Sequence, residues 1–180
     1  MVGVSLHIPS QRPEVLRCRH FEGGVHNTMA TVEKSIDVDV PVSMAYNQWT
    51  QFEEFPQFMS GVEEITQLSD DRLHWVASIG GERREWDARI TEQRPEERDA
   101  WRSESGADNA GVVTFHRLDN DKTRIMVQLD YEPQGMTEQV GEALGVMESQ
   151  VDEDLARFKQ FIESRGSETG AWRGTIEGSA

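Results

Sequence analysis

Residues 136–164 read MTEQVGEALGVMESQVDEDLARFKQFIES. Apolar side chains recur there at Val140, Leu144, Met147, Val151, Leu155, Phe158 and Ile162, in steps of four and three. That is the spacing of one face of an α-helix. Glu138, Glu142, Asp152, Glu153, Lys159 and Glu163 fall mostly off that face. Gly135 stands before the stretch and Gly166 just after Arg165, which suits a helix entry and a left-handed stop. At about 1.5 Å per residue such a helix would be roughly 40 Å long. A final element of that length needs a broad apolar surface to lie on.

The preceding residues supply strands. Val32, Ile36 and Val38 alternate with Glu33, Ser35, Asp37 and Asp39, a half-buried strand in which Lys34 breaks the inward parity. Pro41 ends it and opens a short helix to about Thr50. Phe52, Phe55 and Phe58, spaced by three around Pro56, predict a second short helix or turn that docks aromatics. Val62–Leu68 is a strand and Ser69-Asp70-Asp71 a turn. Leu73, Trp75, Ala77 and Ile79 alternate with polar neighbours, and Gly80-Gly81 signals a hairpin. Trp86, Ala88 and Ile90 continue the pattern, then Trp101 and Ser103. Gly111–Leu118 is a strand whose facing the sequence leaves open. Thr123, Ile125, Val127, Leu129 and Tyr131 close the series. Strands joined by tight turns must be antiparallel. The expected architecture is α+β: a curved antiparallel sheet of about seven strands around one long C-terminal helix, with two short helices after the first strand.

Residues 29–164 read as one domain. Residues 1–28 hold Pro9, Pro13, Gly23, Gly24 and three of the five histidines without a sustained period, and read as an extension with no core of its own. The sequence from Met29 looks like a natural domain start. Residues 165–180 are Gly-rich and expected to be mobile, with Trp172 the one side chain suited to docking.

The formal charge of −15 makes nucleic acid an improbable partner, because phosphate contacts need a basic patch. No apolar run reaches about 18 residues, so no membrane-spanning helix is expected. Cys18 is the single cysteine, which excludes an internal disulfide and points to a reducing compartment, the cytoplasm. The first residues lack the basic region of a secretory signal. His7, His20 and His26 have spacings that match no metal site. GxSxG, GxxxxGK and HExxH are all missing, so no cofactor, metal or catalytic residue is assigned. The sequence does not fix the oligomeric state.

The segments VEKSIDVDVPVSMAY, QFEEFPQFMSGVEEI, WVASIGGERREWDARITEQRP, WRSESGADNAGVVTF and LDYEPQGMTEQVGEALG resemble the START-like, or helix-grip, superfamily. The branch they resemble holds bacterial polyketide cyclase/dehydrase proteins and coenzyme Q-binding lipid-transfer proteins. The resemblance runs from about Met29 to Ser164. It implies a helix-grip fold with an apolar ligand held between sheet and C-terminal helix, and it carries no invariant catalytic motif.

The inward residues are the candidate site. Trp75, Trp86 and Trp101 share apolar parity on successive strands, beside the small Ala77, Ala88 and Ser103. Two readings stand: plain core packing, or large rings alternating with small side chains around a gap for a flat hydrophobic molecule. Leu129, Leu144, Met147 and Val151 complete the expected wall. Gly141 and Gly145 each cost about 1 kcal/mol in a helix interior. Close approach of a strand, room for a ligand, or a weak point that lets the helix end swing would each offset that. Arg84 and Tyr131 have the parity for a polar contact at the mouth. The function expected is binding or transport of a small hydrophobic ligand such as a quinone, another isoprenoid lipid or an aromatic polyketide. The alternative is a cyclase/dehydrase enzyme, for which Tyr131, Arg84 or His116 would be the proton donors or acceptors. A third reading is a structural protein whose groove is filled by side chains.

Overall fold

The structure is a computed structural model, and it describes residues 29–79, 81–132 and 140–178. The sequence readings of 1–28, of the Gly80 hairpin position and of the helix entry at 133–139 lie outside the described residues, as do the surroundings of Val140 and Gly141. Strand β1 is Ala30–Val38 and helix α1 is Val42–Trp49. A short 3-10 helix, Phe52–Gln57, precedes six further strands. These are β2 Val62–Ser69, β3 Arg72–Ile79, β4 Glu82–Arg94, β5 Arg98–Gly106, β6 Asn109–Asp119 and β7 Lys122–Tyr131. Helix α2 is Val140–Arg165. The seven strands form one curved antiparallel sheet in the order β1-β7-β6-β5-β4-β3-β2.

Pro41 starts α1 because its carbonyl accepts the Met44 and Ala45 amides at 3.0 and 3.1 Å. The Phe52–Phe58 turn then docks its rings as a ladder. Phe55 and Phe58 meet Trp49, Trp75 and Phe158 with centroids 5.1–5.9 Å apart, within the range of favourable aromatic pairs. On α2 the burial is graded. Ile162 and Phe158 are 0% exposed, Leu155 4% and Val151 8%, whereas Met147 and Leu144 are only half-buried. Each fully buried aliphatic stabilises by about 1.5–3 kcal/mol, so the C-terminal half of α2 is the anchored half. Lys34, the polar exception on β1, reaches Asp152 of α2 at 2.7 Å.

Two glycines make room for tryptophans. On β6, Gly111, Val113 and Phe115 face inward, which settles the facing of that strand. Gly111 pairs with Trp101, and a Cβ there would fall inside the indole ring. Gly106 pairs with Trp86 at an irregularity in the β4–β5 ladder. Its φ is +78°, and a Cβ would meet the Glu85 carbonyl oxygen and the Trp86 Cβ. Both positions exclude a side chain for reasons of space, and Gly106 also for backbone conformation.

A second irregularity, between Ile90 and Glu92, shifts the parity of β4 by one residue. Trp86, Ala88 and Ile90 face inward, but beyond the bulge it is Gln93, not Glu92, that is buried. Gln93 lies opposite Asp99 of β5, which is also fully buried. The C-terminal segment is not the free tail that its glycines suggest. It crosses α1 and meets β4. Gln48 and Thr169 exchange two hydrogen bonds at 2.9 and 3.1 Å. The Trp172 amide donates to Thr50 at 3.1 Å and Arg173 to Asn47 at 2.9 Å. Ile176 exchanges two backbone bonds with Gln93 at 2.9 Å. These partners satisfy the buried polar side chains of α1, which explains why Asn47, Gln48 and Thr50 can sit in a core.

Burial pushes the Asp99 carboxyl up to about 7. Its oxygens have no hydrogen-bond partner among the described residues, and neither do the Tyr46 hydroxyl and Gln93 Nε2. A carboxyl raised in the folded state stabilises fully below its unfolded value of about 3.9, and that contribution is lost as pH rises towards the folded value. The paired carboxylates held low, Asp37 and Glu163 among them, act in the opposite sense and at lower pH. Between about pH 5 and 7 the raised Asp99 carboxyl therefore contributes a slope that falls with pH. Urea unfolding should show wild-type stability falling by about 1–2 kcal/mol across that window. Asp99→Asn should flatten the slope. The glycine argument is checked by a cycle: Gly111→Ala should cost about 1–3 kcal/mol through overpacking, and most of that cost should vanish in a Trp101→Ala background.

Candidate functional site

The sheet is wider than the anchored half of α2 covers, and the uncovered part is a cavity of about 180 Å³. Trp75, Trp86 and Trp101 line it from β3, β4 and β5, Leu129 and Tyr131 from β7, and Met147, Val151 and Leu155 from α2. Trp75 and Trp86 are directly opposite each other and stack with centroids 5.7 Å apart and planes 10° from parallel. Ala77 leaves the space beside them. Arg84 is also in the wall, with its guanidinium 3.2 Å from Glu82.

Other sequence candidates lie elsewhere. Ala88 is wholly buried between Leu73 and Ser103 and outside the lining. Ser103 accepts the Asn109 amide at 3.1 Å and donates to Asp108 at 3.3 Å, so its hydroxyl organises the β5–β6 turn. Leu144 packs against the core without reaching the cavity. Gly145 is exposed, and a Cβ there would meet nothing within 4 Å. It sits about 100° around the helix from Leu144, so neither a strand nor a ligand pocket accounts for it. His116 is exposed and bonded to Thr114 at 2.9 Å. His74 pairs with Asp87 at 2.7 Å. Neither histidine lines the cavity.

Several wall residues escape a reading of strand parity. Trp49, Phe55 and Met59 reach the cavity from α1 and the 3-10 turn. Phe spacing predicts their docking but not which void they face. Gln150 and Asp154 come from α2. A Cβ on Gly61 would collide with the Gln150 amide, so this glycine lets α2 approach the β2 entry. Asp154 accepts the Ser60 amide at 3.0 Å and Arg157 at 2.7 Å, pinning the same loop. Asp108, Asn109, Asp130 and Glu132 form a polar side of the wall at the ends of β6 and β7.

Three polar atoms of the wall are buried without a partner among the described residues: Trp75 Nε1, Trp86 Nε1 and the Tyr131 hydroxyl. An unsatisfied buried donor costs about 1–3 kcal/mol. Burial, then the nearby Glu148 carboxylate, raises the Tyr131 phenol above its ordinary value, so it stays protonated at neutral pH. Away from its polar side the wall is apolar and aromatic. It can enclose a hydrophobic group. Of comparable size, an engineered cavity of about 150 Å³ in another protein binds benzene.

Among known proteins, the chain is 59% identical over 149 residues to an uncharacterised 17.2 kDa protein of the melC2-rnhH intergenic region of Streptomyces lincolnensis, covering 82% of this chain and 99% of that one. A crystal structure from Deinococcus radiodurans shares 26% identity with a TM-score of 0.60, covering 76% of this chain and 99% of its own. The Zhui aromatase/cyclase of a Streptomyces species shares the fold at 17% identity and a TM-score of 0.64, covering 81% of this chain and all of its own. A START superfamily protein of Mycobacterium smegmatis does so at 17% and 0.63, covering 73% and 98%. Residues 38–160 match the family described as polyketide cyclase/dehydrase and lipid transport. With 123 of its 180 residues matched, the chain belongs to that polyketide cyclase/dehydrase and lipid transport family.

Proposed function

We propose that this protein binds a small hydrophobic molecule, as carrier or receptor, in the cavity between the sheet and α2. The observation that carries the reading is the cavity itself, a void of about 180 Å³ walled mainly by aromatic and aliphatic side chains. Apolar burial supplies the binding free energy and a few polar groups set orientation. A structural protein would have closed this space with larger side chains at Ala77. The size fits the ring end of a quinone or of an aromatic polyketide, with any longer tail leaving through the mouth. No described helix is long and apolar enough to cross a membrane. The single Cys18 fits action in the cytoplasm.

Tyr131 is the one observation on the side of a cyclase. It belongs to the cavity wall, and burial keeps its phenol protonated. The other proton-transfer candidates weaken that reading. Arg84 is tied to Glu82 and His116 is outside the cavity.

Protein purified mildly from its own host, extracted with organic solvent and analysed by mass spectrometry, should yield a stoichiometric hydrophobic molecule. Ala77→Leu fills the void and should lose it, at about 1–3 kcal/mol of overpacking; circular dichroism checks that the variant stays folded. Gly145→Leu points to open space and should keep the ligand. Empty wild-type protein that also binds no quinone or polyketide from a panel would sink the proposal.

A further inference from the structure

We infer that residues 166–178 form a pH-sensitive latch, docked while Asp99 is neutral and released when Asp99 gives up its proton. The segment leaves α2 at Gly166, whose φ of +66° is a left-handed stop that glycine adopts without strain. A Cβ on Gly170 would run into the Gln51 side chain, and one on Gly174 into the Trp172 indole. Both glycines therefore serve close approach in the docked state. Yet none of residues 166–178 is buried. Hydrogen bonds to Asn47, Gln48 and Thr50 of α1 hold the segment, with the Ile176 pair to Gln93. A segment with exposed hydrogen bonds and little buried surface opens locally at a lower free energy than the whole domain.

The segment closes over a cluster that is poorly equipped to carry charge. Asp99, Gln93 and Tyr46 come from β5, β4 and α1, and each is at most 1% exposed. Gln93 lies opposite Asp99. Ile176 pairs with Gln93, and the Arg173 guanidinium sits over the Tyr46 ring, 6.0 Å from its centroid. The segment thus touches two of the three residues. The Asp99 oxygens have no partner among the described residues, because the charges nearby are engaged elsewhere. Arg98 of β5 pairs with Glu92 of β4, and Arg117 of β6 with Glu96 of the β4–β5 turn. In the segment, Arg173 is held by Asn47 and Glu96, and Glu168 by Asn47. α1 adds the Tyr46 phenol, which burial and then the Asp99 charge keep protonated. β6 and α2 bring the apolar Val113 and Phe158 to the same core. A carboxylate in such a place needs water, and the segment is the cover that can move. Burial holds the docked carboxyl up to about 7, against about 3.9 in water. Its contribution to docking is therefore complete below about pH 4 and lost as pH rises to about 7. Glu168, held low first by its Asn47 bond, acts in the opposite sense and at lower pH. Release uncovers the polar side chains of α1 and the β4 edge at Gln93.

Amide hydrogen exchange of the full chain, followed by NMR between about pH 5 and 8 and corrected for intrinsic exchange, reads the opening. The Trp172 and Ile176 amides, which donate to Thr50 and Gln93, should be protected less than the α2 amides of Leu155 and Phe158. Their protection should fall by up to about tenfold per pH unit to about pH 7 and then level off. In Asp99→Asn, whose side chain stays neutral, it should not change with pH. Ile176→Pro removes the amide bonded to Gln93 and should free the end of the segment. The fall in urea stability between about pH 5 and 7 should then shrink, because the Asp99 carboxyl is already hydrated in the folded protein. Segment protection that ignores pH while that of α2 falls would overturn the latch, since Asp99 would then ionise only on global unfolding. Protection equal to that of α2, or a slope that persists in Asp99→Asn, would overturn it as well. A full stability slope in folded Ile176→Pro with a freely exchanging Trp172 amide would show that something other than the segment buries Asp99, and would overturn it too.

Discussion

The seating of α2 on the aromatic ladder is the contact on which the rest of the molecule depends. Phe158 stacks edge-on against both Trp49 and Phe58, at 5.2 and 5.1 Å, and so ties the last helix to α1 and to the 3-10 turn at once. One turn on, Ile162 is wholly buried. Interiors packed this closely do not deform smoothly, so the anchor fixes where the helix axis runs. Away from the anchor, towards the N-terminal end of the helix, the stripe comes out of the core: Val151, Met147 and Leu144 are progressively less enclosed. The cavity lies under that emerging half.

How far this is legible in the sequence depends on how local the cause is. The three-four spacing of Val151, Leu155, Phe158 and Ile162 predicts both the helix and its buried face. The period of two on β3 and β7 places Trp75, Ala77, Leu129 and Tyr131 on the cavity wall without knowledge of the fold. Parity fails where the ladder is irregular. The bulge near Thr91 turns Gln93 inward, and nothing in ITEQR signals it. Parity also cannot say how far along a strand the void extends, which is why Ala88 has the right facing and lies outside the cavity. Gly145 misleads for a different reason. Its cost in a helix suggests a compensating contact, but at an exposed position the structure has none to offer.

The C-terminal segment is the largest departure, and it too has a physical origin. Gly166, Gly170 and Gly174 read as flexibility because glycine has the most freedom to lose. The signal that opposes them lies far upstream. Asn47, Gln48 and Thr50 sit in a helix whose every turn is buried, and buried polar groups need partners. A run of MAYNQWT inside a core is a demand for hydrogen bonds from somewhere. Thr169, Trp172 and Arg173 answer it. The demand is visible in one chain segment and the supply in another, so neither can be read alone.

The same accounting separates the two groups of buried polar atoms that lack partners among the described residues. Under the C-terminal segment, the Asp99 carboxyl stands with the Tyr46 hydroxyl and Gln93 Nε2. That set mixes donors and acceptors, and a carboxyl pushed up to about 7 is itself a donor over much of the physiological range. Such a set can be completed by an internal water, which needs two to four polar partners. The indoles of Trp75 and Trp86 are donors without an acceptor among the described residues. The first set belongs to the fold, because it can be satisfied from within. The second offers donors alone, so no exchange within it can satisfy it.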